Sequence, residues 1–189
     1  MSLNTRIIVA AVASFATLAP AFTGAQEPPA AAPCEADSAY RQFDFWVGEW
    51  DVFTPKDQKA GTNRIEKLLG GCLLLESWTG ASGSEGKSIN YYDPIRKRWV
   101  QTWVDGQGGI ISVEGAFEAG AMRFEGEHFY PDGRRELFRM TFTPQQDGSV
   151  RQFIEQSTDS GDSWYVWFDG RYVRRERTEP SGSHGRESS

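Results

Sequence analysis

The chain is punctuated at short, regular intervals. Asp93-Pro94, Asp105-Gly106, Pro131-Asp132-Gly133, Asp147-Gly148 and Asp169-Gly170 separate runs rich in Val, Ile, Thr, Tyr, Phe and Trp. Such dipeptides preset tight turns or supply the positive φ angles that hairpins require, and the runs between them are too short for typical helices. Strands are therefore expected near 62–69, 72–79, 87–92, 98–104, 109–117, 121–130, 135–143, 149–157, 163–168 and 171–177, after an opening strand within 43–53. Helical character is expected only as a short turn over 38–43. A meander of this length leaves two exposed edges unless it closes on itself. The expected fold is thus all-β, an antiparallel up-and-down barrel of about ten strands, in preference to a sandwich with its longer crossovers.

The opening run, Phe43-Asp44-Phe45-Trp46-Val47-Gly48-Glu49-Trp50-Asp51-Val52-Phe53, is the densest aromatic stretch. Period-two alternation places Trp46, Gly48, Trp50 and Val52 on one strand face. The same rule groups Met122, Phe124, Gly126, His128 and Tyr130 against Arg123, Glu125 and Glu127, and sets Phe138, Met140 and Phe142 against Arg135, Arg139 and Thr141. An apolar interior follows from these two strands. Three further sets mix polar and aromatic residues: Leu74, Glu76 and Trp78; Ser88, Asn90 and Tyr92; Trp99, Gln101 and Trp103. If they point inward, the barrel holds a polar-aromatic cavity.

Ahead of the domain, residues 1–25 carry one charge, Arg6, an apolar run from Ile7 to Leu18, and small residues Thr23 and Ala25 before Gln26. This has the pattern of a secretory signal, and the run is short for a membrane span of roughly 20 residues. Residues 26–39 are expected to be a Pro/Ala-rich linker, 40–177 the barrel domain, and 178–189 a disordered polar tail. Export, to the periplasm or beyond the cell, gives the two cysteines a role, because thiols oxidise there and only Cys34 with Cys72 can pair. That bridge would close a loop of about 38 residues, worth roughly 3 to 4 kcal/mol in the chain-entropy picture. A formal net charge of −6 argues against nucleic acid as a partner, and Arg171, Arg174, Arg175 and Arg177 form a basic cluster diluted by neighbouring acids. A monomer or weak oligomer is expected, with no membrane association once the signal is removed.

Gly48-Glu49-Trp50 is a G-x-W on the first strand of a β-meander, and in this the chain resembles the lipocalin-like, or calycin, barrels. The resemblance implies that Trp50 closes one barrel end and that an Arg from a late strand, Arg174 first and Arg175 second, packs over it in a cation–π contact. The strand number is closer to the nitrobindin branch than to eight-stranded lipocalins. The run 43–52, together with Gly70-Gly71-Cys72, Glu76-Ser77-Trp78, Asn90-Tyr91-Tyr92-Asp93, Gln101-Thr102-Trp103-Val104-Asp105 and Asp147-Gly148-Ser149-Val150-Arg151-Gln152, also resembles the blocks of an uncharacterised family of secreted bacterial proteins, a domain of unknown function. That resemblance implies fold and export but no catalytic residues.

Candidate chemistry is sparse. His128 is the one histidine of the domain, His184 lying in the tail. It could ligate haem as in nitrobindins, but there the ligand sits near the domain's C-terminus, where this chain has no histidine, and a hydrogen-bonded core residue is the preferred reading. No G-x-S-x-G, H-x-H, H-E-x-x-H or C-x-x-C occurs, so no catalytic nucleophile, cofactor or metal site is expected. Ser157-Thr158-Asp159-Ser160-Gly161-Asp162-Ser163-Trp164 has the S-x-D-x-G-x-x-W pattern of an Asp-box hairpin, a structural device. Glu76, flanked by Leu74 and Trp78, would be a buried acid with a raised pKa, either paired with Glu49, Glu114 or Glu155 in a hydrolase or isomerase, or held by Arg139, Arg151 or Arg174. Seven Trp interleaved with Asn90, Gln101 and Gln152 exceed what packing needs. The expected function is binding of a small amphipathic or aromatic molecule by Glu76, Trp78, Asn90, Gln101, Trp103 and His128. The rivals are the carboxylate enzyme and a structural protein with a filled core.

Overall fold

A computed structural model describes residues 33–175. The expected signal peptide, the first half of the expected linker, and the tail with His184 lie outside the described residues. Three short helical turns (Pro33–Ala36, Ser38–Arg41, Asp44–Trp46) lead into ten strands. These are β1 (Gly48–Phe53), β2 (Lys59–Leu68), β3 (Leu73–Gly80), β4 (Glu85–Asp93), β5 (Arg98–Asp105), β6 (Ile110–Glu118), β7 (Ala121–Phe129), β8 (Arg135–Pro144), β9 (Val150–Ser157) and β10 (Tyr165–Arg174). Each pairs antiparallel with its sequence neighbours, and β1 pairs with β10, so the sheet is a closed up-and-down barrel with no free edge.

Aspartate sets many of the turns. The carboxylates of Asp93, Asp105, Asp132 and Asp147 each accept the backbone N–H two residues on, from Ile95 (2.9 Å), Gln107 (2.8 Å), Arg134 (3.0 Å) and Ser149 (3.0 Å). This local bond stands in for a backbone turn bond and explains why Asp marks these boundaries. In the β9–β10 turn, Asp159 accepts both the hydroxyl and the N–H of Ser163, and Gly161 takes a positive φ of 99°. Hydrogen bonds from Ser163 and Ser157 hold the Asp159 carboxyl down at about 2. Trp164 of this hairpin lies under the Arg139 guanidinium, 4.1 Å from the ring centre.

Three local expectations are corrected. Trp46 does not belong to the first strand: Asp44–Trp46 is a 3-10 turn, and β1 starts at Gly48. Spacing of three therefore aims both Phe43 and Trp46 inward, where both are fully buried and their rings stack 4.8 Å apart. Asp169-Gly170 is not a turn but lies inside β10, where the Phe168 ring covers Gly170 and leaves no room for a side chain. The last part of the expected linker is ordered, because Cys34 in the first helical turn is disulfide-bonded to Cys72, which directly precedes β3.

The interior divides along the barrel axis. At the end carrying the β4–β5, β6–β7 and β8–β9 turns, Phe43, Trp46, Trp50, Trp99, Phe124 and Phe142 form a dense aromatic plug. Phe43 meets Trp99, Phe124 and Phe142 at centroid distances of 5.6, 5.8 and 5.0 Å. The outer face instead carries cross-strand ion pairs such as Arg139–Glu155 and Arg151–Asp169, both at 2.8 Å, as a wall facing water would. Among the described residues no helix is long and apolar enough to cross a membrane.

Candidate functional site

Beyond the plug the barrel is not filled. A cavity of about 280 Å³ runs from mid-barrel toward the opposite end, where the β3–β4, β5–β6, β7–β8 and β9–β10 turns lie. Alternation places its lining: Glu76 and Trp78 from β3, Gln101 and Trp103 from β5, Phe138 and Met140 from β8, Gln152 and Ile154 from β9, and Trp167, Phe168 and Tyr172 from β10. The irregular register between Val166 and Phe168 explains why two consecutive residues of β10 reach the cavity. Trp167 is 44% exposed and so marks its mouth. Glycines make space for the large rings: the Trp78 ring lies where a Gly61 side chain would be, and Trp103 likewise covers Gly86.

At the inner end of the cavity stands Glu76, only 5% exposed. Asn63 Nδ2 donates to its Oε1 at 2.6 Å and Ser88 Oγ to its Oε2 at 2.5 Å. Behind Ser88 the donors line up in one direction: Gln101 Nε2 donates to Asn90 Oδ1 (2.6 Å), and Asn90 Nδ2 to Ser88 Oγ (2.8 Å). The chain of amides thus converges on the carboxylate. On its other side the Tyr172 hydroxyl donates to Gln152 Oε1 at 2.6 Å and lies 3.3 Å from Asn63 Nδ2. Burial pushes the Glu76 carboxyl from an ordinary 4.5 up to about 7, against the opposing pull of the bonds from Ser88 and Asn63. Burial and the nearby Glu76 charge hold the Tyr172 phenol well above its usual range.

None of the three arginines expected to hold this acid reaches it. Arg139 and Arg151 point outward to Glu155 and Asp169, and Arg174 lies over Trp50. The expected second carboxylate is not found either. Glu49 is exposed on the outer side of β1, Glu114 pairs with Arg96 and Glu155 with Arg139, so none of the three faces Glu76.

Of the six residues expected to bind a ligand, Glu76, Trp78, Gln101 and Trp103 line the cavity together. Asn90 does not. It is fully buried one step behind, where it orients Gln101 and Ser88. His128 also stays outside the lining, in a separate polar group nearer the mouth. Its Nδ1 is 3.4 Å from Gln156 Nε2, its ring is 4.0 Å from that of Tyr130, and Tyr130 in turn donates to Glu136 at 3.1 Å. Burial lowers the His128 pKa, so the imidazole is held neutral. Tyr172 and Phe168 are absent from the expected site because Asp169-Gly170 reads as a strand-ending turn in the sequence. Continuous alternation through Phe168, Gly170 and Tyr172 is the signal that would have found them.

At the plugged end, Trp50 and Arg174 are direct partners across the β1–β10 pair. The Arg174 guanidinium lies 4.4 Å from the Trp50 ring centre and donates to the Val47 carbonyl at 3.1 Å. Gly48, with φ of 140°, gives that guanidinium its path, since a side chain there would collide with it. Among the described residues no cluster of His, Cys, Asp and Glu has the arrangement of a metal site. No family model and no curated protein matches the chain.

Proposed function

We propose that this protein is an exported carrier or sensor that binds one small molecule inside its barrel. The observation that carries this reading is the cavity itself: about 280 Å³ left open beside a buried carboxylate and its amide chain, in an otherwise tightly packed interior. Core side chains normally fill such space, and a void of this size costs stability unless it serves a guest. The lining suits an aromatic or amphipathic body between Trp78, Trp103 and Trp167, with a polar group reaching Glu76, Gln101 or Gln152. The Cys34–Cys72 bridge and the signal-like N-terminal sequence support export. The Gly48, Trp50 and Arg174 arrangement supports kinship with the calycin barrels, and the ion-paired outer wall suits a water-soluble monomer.

Native mass spectrometry of protein taken from its own source tests this. A mass excess matching one small molecule is expected, and it should vanish in an Ile154→Trp variant, whose added ring occupies the cavity. Wild-type protein that carries no guest and gives no tryptophan-fluorescence response to a panel of small aromatic compounds would overturn the reading in favour of a purely structural barrel.

A further inference from the structure

We infer that the cavity selects a cationic guest: a small primary, secondary or quaternary ammonium compound carrying an aromatic or branched apolar group. The inference rests on the ligand-binding reading above and adds the charge class.

Glu76 is, among the described residues, the one cavity-lining group with a carboxyl, guanidinium, ammonium or imidazole. It lies deep in the barrel, and the groups that face it are amides and hydroxyls: Asn63 from β2, Ser88 from β4, Gln101 from β5, Gln152 from β9 and Tyr172 from β10. Tyr172 is the titratable one of these, and burial keeps its phenol protonated. A buried carboxylate without a counter-ion is costly, and each Glu76 oxygen accepts one protein donor, which leaves further lone pairs free. The site is therefore short of positive charge. The remaining walls fit the same guest, because Trp78, Trp103, Trp167, Phe168 and Tyr172 offer π faces, and rings attract a desolvated ammonium. A carboxylate or phosphate would meet Glu76 with no cation to balance it. A neutral apolar guest would leave the carboxylate without a counter-charge.

The test uses three probes of similar size on the full protein: benzyltrimethylammonium, 2-phenylethanol and 3-phenylpropionate, titrated by calorimetry and tryptophan fluorescence. Benzyltrimethylammonium is expected to bind best at pH 8. Because its own charge is fixed, its affinity should fall about tenfold between pH 8 and pH 6 as Glu76 takes up a proton. Glu76→Gln should remove both the preference for the cation and the pH dependence of its binding. The wild-type pH profile decides the matter if that variant does not fold. Equal or tighter binding of 2-phenylethanol at pH 8 would overturn the cationic inference and leave the ligand-binding reading standing, and so would a pH-independent affinity for benzyltrimethylammonium. Failure of all three probes would also overturn the cationic inference, while a guest seen by native mass spectrometry would still uphold the cavity's role.

Discussion

Glu76 is the residue at which sequence, packing and chemistry meet. Its place between Leu74 and Trp78 leaves its direction open in the sequence, and the barrel turns it inward, where water is scarce and none of Arg139, Arg151 and Arg174 reaches it. Its folded pKa of about 7 stands above the ordinary 4.5, so between these values the native state binds a proton that the unfolded chain has already released. Stability must therefore fall as pH rises across that window: the contribution of neutral Glu76 is fully present below the unfolded pKa and lost above the folded one. The size is on the order of 3 kcal/mol if the whole difference is expressed. Replacing Glu76 by Gln removes the titration. Urea unfolding at pH 4.5 and pH 8 should show wild type losing stability relative to Glu76→Gln as pH rises. A difference between the two proteins that stays constant with pH would mean that folding does not raise the Glu76 pKa.

At the scale of elements, the barrel depends on one short seam. β1 and β10 meet over four residue pairs, Trp50–Arg174 to Phe53–Arg171, whereas β6 and β7 meet over nine. Arg174 reinforces this seam by covering Trp50 and bonding the carbonyl of Val47. Arg174→Ala is expected to lower unfolding stability by about 1 kcal/mol and to shift tryptophan emission to the red as Trp50 meets water, and Arg174→Lys should recover only part, since an ammonium is not a planar fork. An unchanged urea midpoint would show that the guanidinium is an ornament of the surface. The sequence revealed the strands because Asp at their ends makes its own turn bond, a rule that holds wherever the side chain is free to reach two residues on. It misled at Asp169, whose carboxylate is instead engaged by Arg151 at 2.9 and 2.8 Å, leaving no turn bond to make. It misled at Trp46 because period-two spacing carries the face of Val52, Trp50 and Gly48 back onto Trp46, and only packing against Phe142 reveals the spacing of three from Phe43. Glu76, Trp78, Gln101 and Trp103 come from the mixed sets and line the cavity, whereas His128 lies nearer the mouth, because sharing a strand face does not fix a residue's height along the axis.

At the scale of the whole molecule, one end of the barrel is sealed and the other is open, and the N-terminal segment causes the difference. Phe43 and Trp46 reach the plug from a stretch with no strand pairing of its own, so the barrel is closed by strand hydrogen bonds while its end is sealed by aromatic packing, pinned by the bond from Trp50 Nε1 to the Trp46 carbonyl at 2.8 Å. The disulfide fixes this lid. Cys34 and Cys72 are 38 residues apart, and the bridge ties the first helical turn to the start of β3, near the plugged end. Replacing both cysteines by alanine should cost roughly 3 to 4 kcal/mol through the unfolded chain's regained freedom. Because none of the cavity's lining residues lies in that segment, strand content and guest binding should survive while the unfolding temperature drops. Trp46→Ala is a different kind of change, since it removes buried packing from the seal itself at about 3 to 5 kcal/mol. Far-UV circular dichroism, thermal unfolding and probe titration on the two variants separate these effects. Loss of guest binding in the cysteine variant at a temperature where it remains folded would show that the lid and the cavity are coupled, and that the sealed end takes part in holding the guest.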